Sequence, residues 1–158
     1  LEQRHINISD AKKYDLIISF GYKKIINKKI IKKLRRPPIN LHISYLPYNR
    51  GAHPNFWSFV ENTPKGVSIH EIDAGIDTGG IIVRKKVNFN LTKNLTFKDT
   101  YKVLIGEVES LFIKNFEKIL NGNYKLLKIN VKGTFHNKNE LPKNLVSWDV
   151  KIRQYFNI

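Results

Sequence analysis

Asp15 to Phe20 (DLIISF) forms an apolar run that stops at Gly21 and follows a polar, charged stretch. A strand with one wet face alternates apolar and polar residues. A run without alternation reads instead as a strand buried on both faces, as in the parallel sheets of α/β folds. This run narrows the chain to architectures in which helices cover a sheet. The segments that follow fit that pattern. Lys23 to Arg36 sets Ile25, Ile26, Ile30, Ile31 and Leu34 among lysines, a spacing that predicts an amphipathic helix stopped by Pro37 and Pro38. Ile39 to Ser44 (INLHIS) alternates like a second strand and ends before Pro47.

Beyond Pro47, residues 48–54 favour a loop, and Pro54 opens a short helix through Val60. Asn62 to Gly66 (NTPKG) is turn chemistry, and Val67 to Ile72 (VSIHEI) alternates as a strand. Asp73 to Gly80 (DAGIDTGG) is a glycine-rich loop, and Ile81 to Phe89 supplies another strand. Thr96 caps a long helix from Phe97 to about Leu120, and Gly122 stops it. The expected fold is α/β, a mostly parallel twisted sheet flanked by helices, with ligands bound in loops at strand ends. Residues 1–122 form the core in this reading. Residues 123–158 form a short extension of strand, loop and tail, too small for an independent domain.

The length of 158 residues suits one domain, and 41% apolar with 26% charged residues excludes disordered and fibrous classes. Without cysteine there is no disulfide, thiolate metal site or thiol nucleophile. No signal peptide or membrane-length apolar stretch is evident, so a cytoplasmic protein is the default expectation. The first residue is Leu1, which leads us to expect a preceding segment. A formal charge of +15 fits either polyanionic partners or a solvated lysine-rich surface.

The chemistry-bearing residues are few. Asn40 and His42 lie two apart on a strand, so both project from one face. An amide there can donate to a carbonyl oxygen that gains charge, while an imidazole takes a proton from an attacking amine. Alone, such a pair is usually structural. Asp77 in the glycine-rich loop either makes a local turn or orients an imidazole. No G-x-G-x-x-G or Walker lysine accompanies that loop, so a dinucleotide or nucleoside triphosphate site is disfavoured. His5, His53, His70 and His136 show no metal-ligand spacing, and His70, opposite in parity to the apolar positions of its strand, reads as facing solvent. The Phe56 and Trp57 pair reads as core.

In combination, Asn40 to Pro47 (NLHISYLP), Arg50-Gly51, Gly66 to His70 (GVSIH) and Asp73 to Gly79 (DAGIDTG) closely resemble the 10-formyltetrahydrofolate-dependent formyltransferases. That family includes glycinamide ribonucleotide transformylase, methionyl-tRNA formyltransferase and the sugar N-formyltransferases. The resemblance runs from about Asp15 to Phe116. It implies a Rossmann-like fold and makes Asn40, His42 and Asp77 the catalytic residues. It places the folate donor on Gly21, Tyr22, Lys23, Lys24, Ile25 and Ile26 and on the loop Asp73, Ala74, Gly75 and Ile76, with no metal. Relative to the family, the chain enters after an N-terminal strand–helix unit that carries part of the acceptor site. The residues after Asn123 are expected to be too few for the C-terminal β domain that the methionyl-tRNA enzymes carry.

The block Pro54 to Ser58 with Thr63 to Val67 is similar in style to the sugar-modifying members. The expected activity is formyl transfer from 10-formyltetrahydrofolate to a primary amine, on a nucleotide-linked amino sugar. On that reading the partners include neither nucleic acid nor membrane. Methionyl-tRNA or glycinamide ribonucleotide is the alternative acceptor. A non-enzymatic nucleic-acid-binding module built on residues 23–36 is the second alternative.

Overall fold

The computed structural model describes residues 4–157. In chain order the first elements are α1 (Ile8–Lys13), β1 (Ile18–Phe20), α2 (Lys28–Ile31), β2 (Ile39–His42) and β3 (Arg50–Gly51). They are followed by α3 (Pro54–Val60), β4 (Gly66–Glu71), β5 (Ile81–Lys86), α4 (Phe97–Leu120), β6 (Phe135–His136) and α5 (Ile152–Phe156). The main sheet runs β1-β2-β4-β5, and β3 pairs with β6 apart from it. The α/β, Rossmann-like class expected from the sequence is the one adopted. Among the described strands of this sheet, β1–β2 is parallel while β2–β4 and β4–β5 are antiparallel, so the mostly parallel pairing expected is not seen in these strands. The short loop over residues 73–80 joins neighbours β4 and β5 directly, which antiparallel strands allow and a parallel crossover does not.

Strand parity divides the two faces of the sheet. Ile39, Leu41, Val67 and Ile69 point to one side, where they pack with Leu104, Val108, Leu111 and Ile119 of α4. All eight are buried, so this layer is the main core. The helix lies where its sequence signals put it. Thr96 and Asp99 form a reciprocal capping box at its start, and Gly122, at a φ of +66°, follows its end. Arg36 reaches across to donate to the carbonyls of Ile119 and Leu120, placing a cation on the negative end of the helix dipole. Pro54 occupies the first turn of α3, as expected. A second cluster gathers Phe56, Phe59, Phe97 and Ile152, so α5 closes over α3 and the start of α4.

Four segments depart from the sequence expectation. The run expected to be buried on both faces forms only the three-residue β1, in which Ile18 and Phe20 are exposed and Ser19 alone is buried, because β1 lies at the edge of the described sheet beside β2. The helix predicted over 23–36 shrinks to Lys28–Ile31, because Asn27 caps the chain there by accepting from the Lys29 amide. Upstream, Ile25 is 74% exposed, while Ile26 and Ile30 are buried with Ala11. Lysines at 24, 28 and 32, and at 29 and 33, would repel one another across successive helical turns. The polar stretch before β1 contains α1, started by an Asn7–Asp10 capping box that the sequence reading overlooked. Residues 152–156 form a helix where strand, loop and tail were expected. Among the described residues no helix is long and apolar enough to cross a membrane.

Candidate active site

The even-numbered residues of β2 and β4 build the opposite face of the sheet: Asn40 and His42 on one strand, Ser68 and His70 on the other. The antiparallel register sets Asn40 directly opposite His70 and His42 opposite Ser68. Ser68 is fully buried and fixes the loop after β2, donating to Ser44 O (2.7 Å) and accepting from the Leu46 amide (3.0 Å). Above Asn40 and the two histidines, the loop joining β4 to β5 folds back and lowers Asp77 onto them. Asp77 holds a left-handed φ of +51°, unfavourable for a side chain with a Cβ and typical of functional positions. Close packing also shapes the loop, since a Cβ on Gly79 would lie 1.9 Å from Glu71 O.

The contacts are mutual. Asp77 Oδ2 accepts from the Gly51 amide at 2.9 Å and faces His42 Nε2 at 3.7 Å. Asp77 Oδ1 lies 3.4 Å from His70 Nε2 and 3.4 Å from Asn40 Nδ2. His70 Nδ1 donates to Glu71 O (2.7 Å), and its Nε2 sits 3.2 Å from Asn40 Nδ2. The histidine rings meet edge to face, 6.0 Å apart. His42 Nε2 is buried and has no hydrogen-bond partner among the described residues.

Charge and burial oppose each other here. Burial, the largest influence on His42, lowers its pKa, and the His70 charge adds to that. The Asp77 carboxylate and a hydrogen bond to the Asn49 backbone offset part of the effect. For Asp77, burial is again the largest influence and disfavours ionisation. The hydrogen bond from His70, the His42 charge and the Gly51 amide outweigh it, so the carboxyl stays well below the usual range. The resulting pair is a carboxylate kept ionised well below its usual range beside an imidazole whose neutral form is favoured, so that the imidazole can accept a proton next to a negative charge.

Sequence parity found Asn40 and His42 but misread His70. Far from facing solvent, His70 is 2% exposed, because the Asp77 loop covers the polar face of the sheet. Aligning VSIHEI antiparallel to INLHIS would have revealed the Asn40–His70 opposition. Residues expected around the donor are spread more widely. Asp73 and Ala74 line a cavity of about 430 Å³, whose other walls include Ile31, Leu34, Ile72 and the cations Lys32 and Arg36. Asp73 itself accepts from Gly75 N (2.9 Å) and Thr78 Oγ1 (2.6 Å), which shapes the loop. Gly21, Lys23, Lys24, Ile25, Gly75 and Ile76 are not among the cavity walls. Tyr22 is tied to Arg4 O through its hydroxyl, and Ile26 is buried beneath α1 and α2. A second cavity of about 340 Å³ adjoins Asp77 itself, between Leu46, Pro47, Arg50 and the alternate residues Leu127, Ile129, Val131 and Gly133. Among the described residues no group of three or more His, Asp or Glu is arranged to hold a metal ion.

A family model described as formyl transferase matches residues 2–110. The chain belongs to the formyl transferase family. Within the family it is 31% identical over 114 residues to the dTDP-4-amino-4,6-dideoxyglucose formyltransferase of Mycobacterium tuberculosis, spanning 72% of this chain and 47% of that protein. To the methionyl-tRNA formyltransferase of Clostridium beijerinckii it is 30% identical over 149 residues, spanning 92% of this chain and 47% of that one. The chain thus spans about half the length of these two relatives. Among solved structures it resembles the formyltransferase PseJ of Anoxybacillus kamchatkensis, determined with UDP-4,6-dideoxy-4-formamido-L-AltNAc and tetrahydrofolate. That match has a TM-score of 0.87 and 38% identity over 97% of this chain and 82% of PseJ. Asn40–Pro47 and Asp73–Gly79, which carried the family resemblance, are the two segments that the sheet brings face to face.

Proposed function

We propose that this chain carries the catalytic site of an N-formyltransferase that moves a formyl group from 10-formyltetrahydrofolate to an amine of a nucleotide-linked amino sugar. The observation that carries the reading is the meeting of Asn40, His42, His70 and Asp77 on one buried sheet face, with His42 Nε2 left unpaired opposite the carboxylate. The cavity of about 430 Å³ beside Asp73 suits the donor. Its apolar residues Ile31, Leu34 and Ile72 match a flat ring, and Lys32 and Arg36 match carboxylates. The donor supplies a formyl carbon activated on nitrogen. The Asp77-side cavity, where Arg50, Asp77 and Thr78 stand among Leu46, Ile81, Leu127 and Ile129, suits a deoxy-sugar carrying phosphate, with Arg50 as the cation for the phosphate.

In this reading Asn40 Nδ2 donates to the formyl oxygen as the amine adds and negative charge builds there. His42 Nε2 takes the proton released by the amine. It returns that proton to the departing nitrogen as the original carbon–nitrogen bond breaks. Asp77 stabilises the imidazolium that forms in between and keeps the ring oriented, and His70 holds Asp77. The deciding experiment incubates the full-length protein and 10-formyltetrahydrofolate with a dTDP- or UDP-linked amino sugar, glycinamide ribonucleotide or methionyl-tRNA. Formylation of the nucleotide sugar alone supports the reading. Formylation of charged tRNA, with affinity falling at a slope of roughly −0.7 to −0.9 per phosphate contacted, replaces it with the tRNA reading. That rival has the +15 charge and the methionyl-tRNA relatives behind it.

A further inference from the structure

The short β3–β6 pair stands outside the main sheet, yet among the described residues β3 supplies the one backbone donor to the Asp77 carboxylate. Gly51 N donates to Asp77 Oδ2 at 2.9 Å. What keeps β3 in that place is β6. Arg50 N donates to Thr134 O (3.0 Å), and Ala52 N donates to His136 O (2.9 Å). The two strands pack so closely that a Cβ on Gly51, whose φ is +88°, would lie 2.3 Å from His136 O. Two residues of paired strand are too short to hold themselves, so the pair depends on side chains.

His136 provides that anchorage. It is 8% exposed and lies flat on Trp57 of α3, ring centroids 4.1 Å apart and planes at 7°. Its Nδ1 is hydrogen-bonded to Glu140 Oε2 at 3.3 Å, and its buried Nε2 lies within ion-pair distance of Glu61 Oε1, just past α3, at 3.0 Å but not aligned for a hydrogen bond. Buried Asn49 completes the link. With its amide nitrogen toward Glu61 Oε2 (2.9 Å), it also meets Thr134 Oγ1 (3.0 Å) and Thr63 Oγ1 (2.7 Å). A continuous polar network therefore joins α3 to β6 and to the residue before β3. The same network reaches the site a second way, since the His42 ring is hydrogen-bonded to the Asn49 backbone.

We propose that His136 is a positioning residue for catalysis: clamped between Glu61, Glu140 and Trp57, it holds β6 against β3 so that the Gly51 amide stays on Asp77. Asp77 then keeps its left-handed backbone and its approach to His42. The effect on turnover rests on the formyl-transfer reading above, whereas the effect on the Gly51 amide does not.

The test uses the full chain with His136→Phe, which keeps the stack on Trp57 and removes both ring nitrogens. Glu61→Gln and Glu140→Gln, each removing one carboxylate charge from the clamp, serve as second variants if His136→Phe fails to fold. Amide hydrogen exchange at Gly51 is read by NMR beside kcat and KM. The expected result is exchange at Gly51 faster by roughly tenfold or more, with main-sheet amides unchanged. With it, kcat falls by about tenfold and KM for both substrates moves little, the signature of lost alignment. Unchanged Gly51 exchange in the folded variants overturns the inference, whatever happens to kcat. If the wild-type chain formylates no amine tested, the functional reading fails while the exchange experiment still decides this one.

Discussion

Replacing Asp77 with asparagine keeps the side chain's shape and an oxygen for the Gly51 amide but removes the charge that faces two histidines. His42 Nε2 lies 3.7 Å and His70 Nε2 3.4 Å from the carboxylate. A charge pair at about that separation is worth about 4 kcal/mol at an effective dielectric of about 20. The Asp77 side chain is only 13% exposed, so solvent screens little of this. Part of the interaction is present before reaction, and only the part that grows as His42 gains its proton affects rate. The expected loss is therefore the general acid–base scale, a kcat lower by roughly 10²–10⁴-fold, with KM nearly unchanged. Without the carboxylate, burial pushes the His42 pKa lower still, so the acidic limb of the kcat profile should shift to lower pH. Formylated product quantified by mass spectrometry across pH gives both numbers. Turnover in Asp77→Asn within about twofold of wild type, with the same pH profile, would refute the assignment of His42 as base and Asp77 as its partner.

Other outcomes follow from the same structure. His42 has a folded-state pKa below its unfolded value of about 6.5, so the unfolded chain binds the proton more readily. Stability should fall as pH drops below about 6.5 and level off beneath the folded pKa; urea midpoints against pH should lose much of that slope in His42→Gln. Asp77 acts oppositely, since its depressed pKa contributes stability above about pH 4 that is lost as pH falls toward the folded value. Acid titration of Asp77→Asn should lack that component. Leu104→Ala opens the layer between α4 and the sheet, where Leu104 is 1% exposed, and should cost about 2–5 kcal/mol in denaturant unfolding. Gly79→Ala puts a Cβ against Glu71 O and should lower kcat more than a distant substitution of equal stability cost, because the loop that carries Asp77 must move.

The sequence by itself determined the features that rest on local chemistry. The apolar run at Asp15–Phe20, the alternation of Ile39–Ser44 and Val67–Ile72, the Thr96 cap and the Gly122 stop each act over a few residues, and each lies in or beside the element it announced. The pairing of Asn40 with His42 on one face belongs to the same class, because strand geometry alone sends alternate side chains to the same side. The blocks that carried the family resemblance are likewise linear.

Only the tertiary structure decided what those faces meet. His70 shares its parity with Asn40, but parity says which side of a strand a residue takes and nothing about whether that side is wet. The register of β2 on β4 and the return of the 73–80 loop turned it into an interior residue. The predicted helix over 23–36 had a plausible apolar stripe, yet Ile26 and Ile30 found their partners in α1, and Asn27 captured the helix start. The amide that holds Asp77 comes from Gly51, kept in place by residues more than 80 positions later in the chain, Thr134 and His136. Contacts so far apart in sequence leave no periodic signal, because they arise when strands, already formed by local preference, choose their neighbours by burial.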